Sequence, residues 1–406
     1  MYGFRLITVL SAALLVGPLQ AIEPLRVDGL SGPVTAVELQ AFKNHVLELP
    51  APTDNLRNAM VYGSGALAAE SIGRVYEICG DRELLDEMLR FTDRMLAARN
   101  DPKTGWVTWT GERELVWPNA APVEGKPVYA GAEMGDVVGH IAYAAKLILE
   151  HPELAQLPTT DGDPFHFGKT YRARAEHYVR ELDRTVDTFL LKYLVCTDDA
   201  RYYFPTDKRF AVNQKPGPAE RPVPWNQQMM LNNGFQRMAE CHALLGDVPE
   251  RVRRYEEIVQ ASVNWFFENA ERITVDGHRC YRWAYVAETP LKHFEDSAHG
   301  SYDVGGLYRA YLSGKYGITP AMMESLANTA LYVMATPDGK FTGRTDGTDA
   351  AGRPPGMLRS FWLDACEFAP ELLPKLYEAN RGRIKSSPEL TAGIFWQRHR
   401  ATLKAK

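Results

Sequence analysis

The chain has 406 residues, 45% of them hydrophobic and 24% charged, with a formal net charge of −5. Those proportions are ordinary for a soluble globular protein with room for a sizeable core, and they lack the basic excess of a nucleic-acid binder. A polyanionic ligand stays open, because a local cationic site does not register in net charge.

In chain order, the first 21 residues, "MYGFRLITVLSAALLVGPLQA", place one cation (Arg5) before an apolar run, Leu6 to Val16, and a small residue, Ala21. The run is too short to span a bilayer and matches a cleaved signal peptide, although Leu19 departs from the small residue preferred before the cut. The expectation is an exported protein with residues 22–406 as one domain and no membrane span. The cysteines are Cys79, Cys196, Cys241, Cys280 and Cys366, with no C-x-x-C among them. An odd count leaves at least one thiol unpaired in an exported protein.

Three segments repeat a plan. They begin at Asn58 ("NAMVYGSGALAAESIGRVYEICGD"), Asn226 ("NQQMMLNNGFQRMAECHALLGD") and Asp296 ("DSAHGSYDVGGLYRAYLSGKYG"). Each reads as a helix rich in small and polar residues, a glycine-bearing turn (Gly80-Asp81, Gly246-Asp247, Gly317 to Pro320) and a second helix. The second helix is plainly amphipathic, as with Tyr255, Val259, Val263 and Phe266 opposite Arg254 and Glu257. The first has an apolar stripe (Leu231, Phe235, Met238) and a polar one (Asn226, Met230, Asn233, Arg237). Such a helix packs outward and lines a polar cavity inward.

Further helices are expected over 132–150, with Glu133, Asp136 and His140 on one face, and over 169–195. Short strand-like stretches lie at "RYYFPT" and at 278–286. The fold class expected is all-α, an (α/α) toroid or barrel of about six or seven helical hairpins with a few short strands, because one hairpin cannot bury its own apolar faces. "DGDPFHFG" from Asp161 reads as a loop tip rather than a calcium loop.

The stretch "HFEDSAHGSYDVGG", 293–306, concentrates chemistry at a helix start. Asp296 or Ser297 caps the helix, and His299, Tyr302 and Asp303 follow on its inner side. Upstream, "RWAY" sets Arg282 near Tyr285, where a cation would lower the phenol's pKa toward usefulness as a base. Trp225, Asn226 and Gln227 open the helix of the second repeat, with Trp225 either a sugar platform or core. No nucleophile elbow, zinc helix, Walker loop or dinucleotide fingerprint occurs.

"PWNQQ…NNG", "RWAY" and "EDSAHGSYD" resemble stretches of secreted (α/α)-toroid polysaccharide lyases of the alginate and glucuronan type. The resemblance covers about 90 residues, Trp225 to Tyr311. It implies metal-independent β-elimination at a uronate with no cofactor. Asn226 or Gln227 would neutralise the carboxylate with help from Arg282, and His299 and Tyr285 would share the base and acid roles. Substrate contacts would come from Trp225, Gln227, Arg282, Asn233, Glu295, Tyr302, Asp303 and Tyr62. The implied partner is an anionic polysaccharide, with no nucleic acid or membrane, and a monomer is expected. One departure is that "NNG" at 232–234 lacks the histidine of a common Asn-His pattern, which bears on the base assignment. The alternatives are an inverting glycoside hydrolase using Glu295, Asp296 or Asp303, and a non-catalytic sugar-binding protein.

Overall fold

The computed structural model describes residues 22–207, 209–212, 215–216, 221–288, 294–349 and 356–404. The expected leader, 1–21, lies outside them, as does His293. Twelve α-helices are present among the described residues: α1 Ala36–Leu47, α2 Ser64–Cys79, α3 Arg82–Ala97, α4 Met134–Leu149, α5 Tyr171–Thr185, α6 Leu191–Tyr193, α7 Trp225–Leu245, α8 Pro249–Asn269, α9 Ser297–Ser313, α10 Pro320–Asn328, α11 Leu372–Asn380 and α12 Pro388–Lys404. Four short strands, β1 Ala211–Val212 with β2 Lys215–Pro216 and β3 Glu271–Val275 with β4 His278–Arg282, form two antiparallel ribbons. No helix among the described residues is long and apolar enough to cross a membrane.

The packing relations run in a circuit. α2 packs on α4, α4 on α7, α7 on α9, α9 on a tight helical segment Ser360–Glu367, that segment on α12, and α12 back on α2. α3, α5 and α8 pack on α2, α4 and α7 respectively. Glycines set how close the circuit closes. A side chain at Gly135 would stand 2.5 Å from the Leu231 Cα, and one at Gly234 2.7 Å from the Gly135 carbonyl. α4 and α7 therefore touch backbone to backbone. On α9, Gly305 admits Phe361 and Gly306 admits Met229.

Local signals end the helices where the sequence says they should. Gly80 and Gly246 adopt left-handed φ values of +66°, closing α2 and α7 at a conformation costly for any residue with a Cβ. Thr319 caps α10 by accepting from the Met322 amide at 3.3 Å, with Pro320 following. The first and last of the described helices are tied together. Glu38, in the capping box of α1, takes Arg398 of α12 at 2.5 and 3.0 Å.

Four expectations change. α9 ends at Gly314 (φ +70°), ahead of the predicted turn at Gly317. The helix expected over 169–195 widens into a π-turn at Val186–Leu190 before α6. "RYYFPT" makes isolated bridges from Tyr202 and Tyr203 instead of a strand. The segment Ser360–Glu367, not foreseen, takes a place in the circuit. The five thiols are free, and the loop at Asp161 is clamped by Arg174, which contacts Asp161 and Asp163 at 3.2 Å.

Candidate active site

α9 begins at Asp296, whose Oδ1 accepts from the amides of Ala298 and His299 at 2.8 and 3.0 Å. The acid is thus the N-cap, as expected. Its other oxygen lies 2.9 Å from Nδ1 of His299. A carboxylate on Nδ1 holds the ring proton there and leaves the lone pair on Nε2, which is the tautomer of a base. The His299 side chain is 39% exposed, so this base is open to solvent. The Tyr285 ring packs against it with centroids 5.3 Å apart. The Tyr285 carbonyl accepts from the Trp225 amide at 3.2 Å, which brings the first turn of α7 alongside. There the side-chain oxygens of Asn226 and Gln227 are buried without a hydrogen-bond partner, a cost that a ligand would relieve.

Beneath His299 lies a closed carboxyl pair. Glu295 and Asp303 are both fully buried and act on each other's titration, and Glu295 Oε2 and Asp303 Oδ1 have no other hydrogen-bond partner. Trp283 Nε1 donates to Asp303 at 2.8 Å, and the Asp296 amide donates to Glu295 at 2.9 Å. Burial, then the neighbouring Asp303 and Asp296 charges, push the Glu295 pKa well up. Burial also raises Asp303, against the opposing Trp283 bond. Two like charges in one dry site do not both ionise, so the pair keeps a proton. Glu295, Asp296 and His299 each offer one ligand atom within 4.8 Å of the others, the one such metal-capable group among the described residues. A cation there would have to displace the proton from His299 Nδ1.

Two further clusters border the same end of the helices. Glu133 precedes α4. Asn119 holds its Oε1 at 3.1 Å, while its Oε2 is buried without a partner. Burial raises its pKa to about 7. A Cβ on Gly131 would meet this Oε2 at 2.7 Å and the Tyr129 hydroxyl closer still, so glycine is what lets both groups approach one point. The Tyr129 phenol also feels Tyr285 electrostatically. On the other side, Tyr62, Tyr302 and Arg359 line a cavity of about 210 Å³, where the Arg359 charge opposes the upward push of burial and of Asp136 on the Tyr302 phenol.

The structure brings His299, Tyr285, Asn226 and Gln227 together and gives other residues different tasks. Trp225 is 1% exposed and packs edge-on against Trp265 and Phe266, so its faces are closed to a sugar. Asn233 is fully buried and donates to Asp136 at 2.6 Å. Arg282 pairs with Glu271 across the β3–β4 ribbon at 2.5 Å. It does not lower the Tyr285 phenol, whose pKa is raised by burial and then by Glu295 and Asp296. Tyr302 and Asp303 do not share a face, because adjacent helical residues diverge by about 100°. Glu295 and Asp303 support the site from below and are closed to a substrate.

The sequence does not single out Tyr129 or Arg359 as site residues, and it places Glu133 only on a helix face with Asp136 and His140. The available signal was an acid set directly before a helix of small and apolar residues, "AGAEMGDVVG".

No protein-family model matches the chain, and no curated protein matches it. Among solved structures, it is similar to a family 76 glycoside hydrolase from a bovine Bacteroides thetaiotaomicron strain, with 12% identity and a TM-score of 0.42. That match covers 84% of this chain and 55% of the other, so the chain spans about half of that hydrolase's length. A polysaccharide lyase matches at 11% identity and a TM-score of 0.41, over 93% of this chain and 80% of that one. A family 76 mannosidase from Bacteroides thetaiotaomicron matches at 8% identity and a TM-score of 0.44, over 84% and 71%.

Proposed function

We propose that the protein is a carbohydrate-active enzyme with an (α/α)-toroid scaffold, and that it cleaves a uronate-containing polysaccharide by β-elimination. The observation that carries this reading is His299, solvent-open with Nδ1 fixed on Asp296 and its ring against Tyr285. Proton abstraction beside a carboxylate needs an oriented base, and a base held by a third group is the arrangement that supplies one.

In this reading His299 Nε2 removes the proton at C5, and the Tyr285 hydroxyl, kept protonated by its burial, delivers a proton to the departing O4. The side-chain NH2 groups of Asn226 and Gln227 donate to the uronate carboxylate and to the charge that grows on it, so that these bonds strengthen as the reaction proceeds, while their unpartnered oxygens accept from sugar hydroxyls. Arg359 with Tyr302 and Tyr62 meets the carboxylate of a neighbouring sugar. The circuit of helices supports the toroid.

A hydrolase reading has one observation in its favour. Glu133 carries an unpartnered oxygen and a pKa raised to about 7, as suits a general acid. The experiment that separates the two incubates the protein with alginate, glucuronan and pectate, with and without a chelator. Ultraviolet absorbance of a new C4=C5 double bond supports elimination. New reducing ends without that absorbance sink it, and loss of those ends in Glu133→Gln identifies the hydrolase acid. Activity abolished by the chelator would assign Glu295, Asp296 and His299 to a metal instead.

A further inference from the structure

The circuit has a second end. There, beyond His140, α2, α4, α7, α9 and α12 border a cavity of about 330 Å³ whose lining includes Arg74, Arg237, Arg309, Lys146 and Lys315. It is separated from the His299 end by a buried polar network. Asn233 holds Asp136, His140 lies 3.3 Å from Asp136 and 3.4 Å from Glu70, and Glu70 takes Arg237.

At the floor of this cavity three guanidiniums share two carboxylates. Arg237 grips Glu70 through two bonds of 2.8 and 3.0 Å. Arg74 grips Asp364 through two bonds of 2.7 and 2.9 Å. Arg309 is left over. Its nearest carboxylate oxygen is the already claimed Glu70 Oε1, at 4.0 Å. Burial, and next the positive charge of Arg237, pull the Arg309 pKa down to about 10. The Arg309 side chain is only 16% exposed, and a guanidinium drawn that far out of water normally sits in a bidentate pair, because desolvating it without one is costly.

The rim acids do not supply the missing partner. Glu77 takes the Tyr143 hydroxyl at 2.9 Å and faces Lys146 at 3.7 Å, and Glu150 faces Lys146 at 3.3 Å. Glu240 accepts from Gln236 at 2.9 Å, and Lys315 pairs with Glu256. One layer deeper, the Asp136 and Glu70 carboxylates outweigh the burial of His140 and raise its pKa to about 9, which adds positive charge behind the floor.

We propose that this cavity binds a small oxyanion, a carboxylate, phosphate or sulfate, which completes the coordination of Arg309. Its two planar N–H edges match such an anion, and the cavity is large enough for a single charged sugar or an inorganic ion. The site lies on the same helix as His299, ten residues or about 15 Å further along. It stands independently of the function proposed for the other end.

The test is thermal unfolding of the full chain in sodium chloride, sodium phosphate and sodium glucuronate at matched ionic strength. Wild type should gain about 3–5 °C over chloride at saturating oxyanion. Arg309→Met should melt higher than wild type in chloride, since it removes an unmatched, partly buried charge, and should lose the oxyanion gain. Arg309→Lys, which keeps the charge without the fork, should keep part of it, and His299→Ala all of it. A gain from glucuronate alone identifies a carboxylate ligand, and one from phosphate alone an inorganic ligand. No gain in wild type, an equal gain in Arg309→Met, or a gain abolished by His299→Ala overturns the proposal.

Discussion

The two ends of the helical circuit handle buried charge in opposite ways. At the His299 end, acids outnumber cations and are neutralised by holding protons, as Glu295 and Asp303 do between themselves and Glu133, raised to about 7, does in part. On the floor at the Arg309 end, three guanidiniums share two carboxylates, Glu70 and Asp364, and the surplus cannot be neutralised that way, because arginine does not give up its proton near neutral pH. A surplus of acid therefore leaves hydrogen-bonding groups poised for proton transfer, whereas a surplus of arginine leaves a standing demand for an anion. α9 carries both situations on one helix, with His299 and Asp303 in its first two turns and Arg309 in its fourth.

The sharpest way to break this contrast is at the base. His299→Ala should lower kcat about 10³-fold on the polymer that is cleaved, with melting unchanged, read by appearance of the C4=C5 chromophore. Retention of full rate would move the chemistry elsewhere in the mouth. Asn226→Ala or Gln227→Ala should each cost about 10²-fold in kcat/KM, because each removes a donor to the developing charge.

Stability changes come next. Gly135→Ala should cost about 3 kcal/mol in denaturant unfolding, since the new methyl group meets the Leu231 backbone, which cannot turn aside. For the carboxyl pair the sign is fixed by the direction of the shifts. Glu295 and Asp303 bind protons more tightly folded than unfolded, so the folded protein loses stability as pH rises above the ordinary carboxylate range toward their raised values. Glu295→Gln keeps a donor for Asp303 but cannot ionise, so its melting temperature should fall less between pH 5 and pH 8 than that of wild type. The smallest effect belongs to Arg282→Ala, under about 1 kcal/mol in stability and under about twofold in rate, because a ribbon pair on the surface contributes little.

Much of the scaffold was legible because helical periodicity and glycine caps are local signals. The first helices of all three repeats, α2, α7 and α9, fall in the circuit, and the polar stripe Asn226, Asn233, Arg237 does turn inward. His299, Asp296 and Tyr285 could be picked out because they cluster within fifteen residues around one helix start. What stayed hidden depends on contacts distant in sequence. Nothing local marks Tyr129, and the acid before α4 does not by itself show that the fold carries Glu133 to the Tyr285 neighbourhood from 150 residues away. Nor does sequence distinguish Trp225 as a buried ring from Trp225 as an open one, because the difference lies in Trp265 and Phe266 covering it. The unmatched Arg309 is invisible until α2, α7 and the segment Ser360–Glu367 have supplied Glu70, Arg237 and Asp364.

The backbone contact between α4 and α7 has a consequence for how such a protein can diversify. With Gly135 and Gly234 leaving no space between the two helices, that seam of the ring cannot be narrowed by substitution, and spreading it would strip both helices of their closest neighbours. The spacing of the circuit is in effect a fixed gauge there. If the proposed activity holds, a change of substrate would have to be written into the segments that carry Tyr62, Tyr129, Tyr285 and Arg359, which could be exchanged without disturbing the packing of α4 on α7.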